Sequence, residues 1–422
     1  MSAADTANPI SAIPVSFRQD AKVIGLVGLA HGVSHFFQLI LAPLFPWLKV
    51  AFSLSYAELG LLMTGFFFVS GFGQAFAGFL VDRIGALTVL CAGMACLAVS
   101  AVLLSSAHSY PVLLASSMLA GLGNCVFHPS DYTLLNKRVS VARLGHAFSV
   151  HGISGNLGWA AAPVFLTVIA GSFGWRTALL AAALLPLTVL ILFAFSRDTL
   201  GEKNAVAVKS ATSTAAATEK DSTVNFMRSP AVWMCFAFFC ITAMSVGGVQ
   251  SFSTASLQSL YGMSLVWATA GYTAYMLASA CGMLWGGFLA AKSTRPDRTI
   301  ACAFVSSGVL ALIVATGVLS PVMAIVLMAG IGFGAGVAGP SRDLLVRIAA
   351  PKNATGRVYG VVYSGLDLGL VGSPLFFGML MDHNHPAWVF VGIGVFQMLA
   401  IVTAVKATSR SAQRSVQVQA AA

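Results

Sequence analysis

From Ala30 to Lys49 the sequence AHGVSHFFQLILAPLFPWLK places His31, Ser34, His35 and Gln38 at i, i+3, i+4 and i+7 inside a long apolar stretch. That spacing puts all four on one face of a helix. Imidazoles can take up or release a proton near neutral pH, and beside a hydroxyl and an amide they can also hydrogen-bond a polar ligand. A second row follows at Asn124, His128, Asp131 and Tyr132, with Pro129 inside it. A proline there frees a backbone carbonyl and bends a helix. Asn156 and Asp367 are two more polar residues in otherwise apolar surroundings. The plainer reading of all of them is structural: neutral groups hydrogen-bonding to neighbouring helices and fixing their packing.

What elements could position these residues follows from composition. Of 422 residues, 58% are hydrophobic and only 9% charged, against roughly 25% charged in a soluble domain. The chain therefore reads as an all-α integral membrane protein. Crossing a bilayer takes about 20 mostly apolar residues per helix. Twelve segments qualify: 23–48, 57–81, 86–107, 111–134, 145–171, 176–196, 230–257, 265–291, 299–318, 321–341, 357–381 and 387–405. Their continuous apolar runs do not fit the short alternating strands of a membrane barrel. The first 22 residues are polar and lack the apolar core of a signal peptide, so no cleavage is expected.

The net charge of +10 could suggest nucleic acid, but its placement points elsewhere. With the N-terminus in the cytoplasm, all of the 23 Lys and Arg except Lys49 and Arg176 fall on the cytoplasmic side or at cytoplasmic helix ends. Positive residues mark the inside, so both termini are expected in the cytoplasm and the protein in the plasma (inner) membrane. The seven cysteines lie in or beside apolar segments without a CxxC pair, and read as small buried hydrophobes.

Residues 196–229 form the longest polar stretch, with KSATSTAAATEKDST at its middle. They divide the chain into an N-terminal six-helix half (1–195), a cytoplasmic linker (196–229) and a C-terminal half with a short tail (230–422). The halves are related by one constant offset, 332 − 121 = 211 positions. Gly121, Gly123, Val126, Pro129 and Ser130 fall on Gly332, Gly334, Val337, Pro340 and Ser341. Gly145, Leu157, Gly158 and Pro163 fall on Gly356, Leu368, Gly369 and Pro374, and Asn156 falls on Asp367. Two Gly-Pro patterns in register indicate a tandem duplication. Two parallel six-helix repeats with a binding site between them near the midplane are the plan of the major facilitator fold.

Specific residues carry the same resemblance. GFLVDRIG, from Gly78 to Gly85, resembles the superfamily's signature between the second and third helices, with Gly78, Asp82, Arg83 and Gly85 matching. The usual basic cluster after it is replaced by Ala86-Leu87. SHFFQLILAPLFPWLK, GLGNCVFHPSDYTLL and GHAFSVHGISGNLGWAAAP resemble the fosmidomycin-resistance branch of drug exporters. GPSRDLLVR and GRVYGVVYSGLDLGLVGSP are more similar to general facilitators, organic-anion carriers included. Ser117 stands where ordinary drug–proton antiporters carry an arginine.

The resemblance implies a secondary transporter, not an enzyme, working as a monomer by alternating access. Export of a drug or small metabolite against protons, hence antiport and antibiotic resistance, is the leading expectation. Proton-coupled import of a small organic anion is the alternative. The expected substrate and proton pathway is His31, His35, Gln38, Asn124, His128, Asn156 and Asp367. At ~1.5 Å per residue, Asp367 lies ~15 Å in from Arg357, near the midplane, where an acid is costly to keep without a use. Asp131 is expected at the cytoplasmic end, pairing with Arg83 or another loop cation. With Gly78, Asp82, Arg83, Gly85, Arg342 and Asp343 it makes up the expected cytoplasmic gate. Glu58, at a helix start, suits the helix dipole.

Partners are expected to be a small molecule, protons and lipid, with no nucleic acid, no cofactor and no metal. The run GIGFGAGVAG reads as close helix approach, and no GxxxxGK[ST] occurs. HGISGN, from His151 to Asn156, contains a GxSG that could suggest an intramembrane hydrolase. The duplicated plan speaks against it.

Overall fold

The computed structural model of the protein describes residues 16–140, 143–200, 230–292, 295–349 and 355–421. Among them are twelve helical spans long and apolar enough to cross a membrane, and no strand. The first span joins α1 (Phe17–Gln38), a 3-10 turn at Ala42–Leu44 and α2 (Phe45–Phe52). Then come α3 (Tyr56–Ile84) and α4 (Ala86–Ser105). The fourth span is broken into α5 (Tyr110–Asn124) and α6 (Phe127–Arg138). α7 (Leu144–Phe173), α8 (Trp175–Phe195) and the short α9 (Arg197–Leu200) complete the first group. The second group is α10 (Pro230–Tyr261), α11 (Leu265–Lys292), α12 (Pro296–Ala315), α13 (Pro321–Ala349), α14 (Thr355–Asp382) and α15 (Pro386–Ala421). Residues 201–229, the expected linker, lie outside the described residues.

Local chemistry sets the helix ends. Ser55 and Glu58 form a reciprocal capping box at the start of α3, which satisfies two otherwise orphaned donors. Glu58 thus has the structural role expected of it. Gly85, with φ of +89°, makes the tight reversal from α3 to α4, a backbone conformation that glycine adopts without a Cβ clash.

The duplication is visible as repeated backbone approaches. A Cβ on Gly121 of α5 would stand 2.3 Å from the Phe66 carbonyl oxygen of α3. One on Gly332 of α13 would stand 2.0 Å from the Tyr275 carbonyl oxygen of α11. Likewise Gly158 of α7 lies against Gly32 of α1, and Gly369 of α14 against Cys240 of α10, at 2.1 and 2.3 Å for the same imagined atom. Lipid tails supply little drive for apolar helices to associate, so close packing over small residues has to hold them together. Two glycines of the first group and their counterparts at the 211-residue offset thus make the same kind of approach, each against a backbone carbonyl of the corresponding helix.

An even number of spans puts both chain ends on one face, here called the terminal side; the other is the far side. Contacts between the two groups concentrate toward the far side. α3 and α14 touch there backbone to backbone: a Cβ on Gly60 would meet the Pro374 carbonyl oxygen at 2.3 Å, and one on Gly378 the Tyr56 carbonyl oxygen at 2.6 Å. Thr64 Oγ1 donates to the Val371 carbonyl at 2.8 Å. Asp382, at the end of α14, accepts from the backbone N–H groups of Tyr56 and Ala57 at 2.6 and 2.7 Å. A carboxylate from one group thereby caps the first turn of a helix in the other, where the helix dipole also favours it. Phe252 of α10 packs against Phe45 and Tyr56, with ring centroids 5.6 and 6.0 Å apart.

Two expectations follow. Gly158→Leu drives a side chain into the α1 backbone and lowers the unfolding temperature of the detergent-purified protein, at a cost of ~1–3 kcal/mol. Gly152→Ala, with nothing within 4 Å of its imagined Cβ, leaves that temperature unchanged. Asp382→Ala removes the far-side cap, worth ~1–2 kcal/mol. Thr254, half-buried between the groups on that side, reports the change. As Thr254→Cys in an otherwise cysteine-free background, it reacts roughly 5- to 30-fold faster with an impermeant thiol reagent.

Candidate functional site

Three helices of the first group bring four histidines together. His31 and His35 come from one face of α1, His128 from α6 and His151 from α7. The His31 ring stacks on His151 with centroids 3.5 Å apart and lies 4.3 Å from His35 and 5.4 Å from His128. Asp131, fully buried, lies one turn along α6 from His128 and meets His151 Nε2 through Oδ2 at 3.1 Å. Gly155 of α7 makes the room: a Cβ there would stand 2.7 Å from His35 and 2.9 Å from His31.

Hydrogen bonds to the surrounding helices orient these rings. His31 Nδ1 lies 2.8 Å from the His151 carbonyl oxygen. His128 Nδ1 lies 3.0 Å from Gln74 Oε1 of α3. Ser34 donates to Asn124 Oδ1 at 2.7 Å, and Asn124 passes the connection to Ser70 at 2.8 Å. Asn124 is therefore a fully engaged tie between α1, α5 and α3. Trp159 Nε1 donates to Gln38 Oε1 at 2.9 Å, and the Trp159 ring lies 4.3 Å from His35.

The most exposed edge of the cluster, here called its mouth, faces the terminal side. Tyr132 is 43% exposed and stands between His128, His151 and Phe148, with ring centroids 6.3, 5.1 and 5.5 Å away. His128 beneath it is half-buried. Toward the far side, beyond Gln38, a cavity between the two groups is lined by Leu39, Pro43, Gln250, Ser251, Thr269 and Tyr272. Both side-chain polar atoms of Gln250, and the hydroxyls of Ser251, Thr269 and Tyr272, are buried there without a hydrogen-bond partner among the described residues.

The structure corrects the expected role of Asp131. It does not sit at the helix end with Arg83; it is buried against His151. The fourth span runs on to Arg138, past its expected end at 134, so Asp131 lies ~10 Å short of the end of α6. Arg83 and Asp82 are exposed, and neither forms an ion pair among the described residues. Gly78 lies in the last two turns of α3, and Gly85 caps its end. Arg342 is half-buried, with its guanidinium 4.9 Å from the Phe239 ring centroid. The side chains of Asp343, Arg347 and Arg357 lie outside the described residues.

Asn156 and Asp367 both face the boundary between the groups, as their offset implies. Asn156 Nδ2 is 3.9 Å from Met283 Sδ of α11. Asp367 is half-buried and packs on α3, where a Cβ on Gly71 would stand 3.0 Å from its own Cβ. Asp367 makes no hydrogen bond or ion pair among the described residues and is not part of the histidine cluster. Ser154, the serine of GxSG, lies within α7 and gives its proton to the His151 carbonyl at 2.8 Å.

Several site residues were not singled out from sequence. His151 is central, and its signal was an ionisable residue inside an apolar segment. Gln74, Trp159 and Gln250 carry the weaker signal of single polar or amphipathic residues in spans. Asp20 is fully buried beside Ser140 and Arg143, accepting from Ser140 N and Oγ at 3.2 and 2.6 Å and pairing with Arg143. It ties the start of α1 to the connection between α6 and α7.

Known proteins agree with this architecture. The sequence profile of the Major Facilitator Superfamily matches residues 27–373. The fosmidomycin resistance protein of Escherichia coli (strain K12) is 24% identical over 282 residues, 66% of this chain and 67% of that one. An uncharacterized MFS-type transporter of Bacillus subtilis (strain 168), YfnC, is 27% identical over 199 residues, 46% of this chain and 48% of its own. Among solved structures, a bacterial homolog of the human lysosomal transporter Spinster, in an inward-facing and unoccupied conformation, superposes with a TM-score of 0.71. Its sequence identity is 15%, over 94% of this chain and 97% of that one.

Asp131→Ala leaves His151 Nε2 buried without its acceptor and lowers stability by ~1–3 kcal/mol, whereas Asp131→Asn, which can still accept, loses less; chemical unfolding in detergent measures both. Tyr132→Cys in a cysteine-free background reacts with an impermeant thiol reagent applied to the terminal side, and Gln38→Cys reacts more slowly. Twelve spans in two equivalent groups of six, the Gly78–Gly85 signature and a profile match over most of the sequence lead to one conclusion: this integral membrane protein belongs to the major facilitator superfamily of transporters.

Proposed function

We propose that the protein is a proton-coupled secondary active transporter that exports a drug or small metabolite by alternating access, with both termini in the cytoplasm. The histidine cluster carries this reading. Ionisable side chains inside a membrane are costly and mark ion or substrate paths. Here four of them, with Asp131, lie beside the boundary along which the two groups would rock. The distribution of Lys and Arg supports a cytoplasmic terminal side. The likeness to the fosmidomycin resistance protein supports a drug as cargo. On this orientation the structure is closed to the outside by α3 and α14, and the cluster's mouth faces the cytoplasm.

In that state cargo enters past Tyr132 and His128 and meets the rings of His31 and His35. Separating α3 from α14 then exposes the site to the outside, and protons entering there return the protein. Asp367, across the boundary from the cluster, is the acid available on the second group. A second reading, proton-coupled import of a small organic anion, is supported by the same rings, which carry positive charge once protonated.

Inside-out vesicles acidified by respiration, with a dye reporting lumenal pH, test the proposal. Fosmidomycin is the first compound to add. Wild type is expected to show compound-dependent alkalinisation of the lumen, His31→Gln none, and Asp367→Asn a reduced response. Undiminished alkalinisation in His31→Gln contradicts the role given to the cluster. A response only when the compound is preloaded into the lumen contradicts export and establishes import.

A further inference from the structure

We propose that His31, His35 and His128 hold a divalent transition-metal ion of the Zn2+ class, with one coordination position open toward the mouth beside Tyr132. One ring nitrogen from each of the three lies within 4.8 Å of the others. Nitrogens around a tetrahedral zinc, bonded at about 2.0–2.1 Å, stand about 3.3 Å apart. Small rotations of three side chains close that difference, and the cluster's rings already converge.

The hydrogen bonds select the form of imidazole that a metal needs. His31 Nδ1 faces the His151 carbonyl oxygen and His128 Nδ1 faces Gln74 Oε1. The carbonyl can only accept, so in neutral His31 Nδ1 carries the proton and Nε2 presents a bare lone pair; with the Gln74 amide oxygen turned toward it, His128 takes the same form. A ligating histidine whose other nitrogen donates to a carbonyl oxygen is the usual outer-shell arrangement of protein metal sites. His31 Nε2 and both ring nitrogens of His35 are buried and have no hydrogen-bond partner among the described residues. With His31 at 3% and His35 at 9% exposure, leaving two such acceptors unmet is costly, and a cation shared with His128 satisfies both.

The donor set names the class of ion. Three imidazole nitrogens suit zinc, copper, iron or nickel, whereas magnesium and calcium require oxygen ligands. Three protein ligands leave a fourth position, as in zinc sites that bind an exchangeable group. Half-buried His128 places that position toward the mouth, where water or an anionic oxygen of a cargo molecule can occupy it. His31, Asp131 and His151 form a second convergent set. In that set Asp131 Oδ2 and His151 Nε2 already bond each other and all three residues are buried, so an ion there would have to break that pair and lacks a route in. The metal site stands on ring geometry and is independent of transport direction or proton coupling.

The test is equilibrium binding of Co2+, as a coloured substitute for Zn2+, to the full-length protein purified in detergent without a polyhistidine tag. Expected are one Co2+ per chain, the visible absorption of a tetrahedral site, and displacement by Zn2+ but not by Mg2+. His35→Gln and His128→Gln, each checked for unchanged elution and unfolding temperature, weaken binding by at least roughly 100-fold. Gln74→Ala keeps the stoichiometry and weakens binding roughly 10- to 100-fold, as removal of an outer-shell partner does. If one ligand variant fails to fold, the other decides. The proposal is overturned if wild type binds no Co2+, or if binding survives both ligand variants. Binding lost in His151→Gln but kept in His35→Gln also overturns it, because the ion would then sit on the second set.

Discussion

A polar side chain in the middle of a membrane has no water to turn to, so it must find its partner on another helix. That constraint organises this protein. α1 carries a column of such groups, from Asp20 at the terminal side through His31, Ser34 and His35 to Gln38, and each except His35 has an identified partner on another element. Asp20 meets Ser140 and Arg143, His31 meets the α7 backbone, Ser34 meets Asn124, and Gln38 meets Trp159. The helix is thereby fixed in rotation against α5 and α7, and the histidines cannot turn toward lipid. What remains unmet in the cluster, among the described residues, is His31 Nε2, both nitrogens of His35 and Asp131 Oδ1. Those are the atoms left over for a ligand.

The two groups of six helices solve the packing problem with the same glycines but furnish it differently. In the first, the space beside α1 and α7 is filled with ionisable rings. In the second, the residues facing the boundary are mostly neutral: Gln250 and Ser251 on α10 and Thr269 and Tyr272 on α11, with the acid Asp367 on α14. A duplicated scaffold has diverged into a half rich in titratable groups and a half rich in neutral hydrogen-bonding groups. A ligand lying between them would meet both. Among the described residues the boundary is held on the far side by backbone contact between α3 and α14 and by the Asp382 cap, which suits a joint that opens at one end as it closes at the other.

Much of this was legible in the sequence. The spans were, because lipid demands about twenty apolar residues at a stretch. The duplication was, because helix contact demands glycine at fixed positions and one offset preserved them. The i, i+3, i+4, i+7 row of α1 did mark a single face. What could not be read was the rotational setting of one helix against another. Asp131 was expected to meet a loop cation, since an acid near a helix end usually does. Instead α6 runs on to Arg138, past the expected end at 134, and that acid lies inside the bundle against His151. His151 was visible as a histidine in an apolar segment, yet nothing in its own neighbourhood says that it stacks on His31, 120 residues away. The Asp382 cap is likewise a contact between distant halves with no local signature.

The central claim is that each group of six helices moves as a unit about the boundary between them, with the histidine cluster carried intact inside the first. Electron–electron spin-label distances in the full-length, cysteine-free protein in lipid nanodiscs test it most directly. One pair spans the boundary at Glu58 and His383 on the far side, a second spans it on the terminal side between Asn136 and Ala290, and a third lies within the first group, between Ser106 and Gln19. The account predicts two populations for each of the first two pairs, the far side widening as the terminal side narrows, and a single unchanged distance for the third. A far-side pair that stays in one short distance under all conditions, or an intragroup distance that changes with it, would contradict the account.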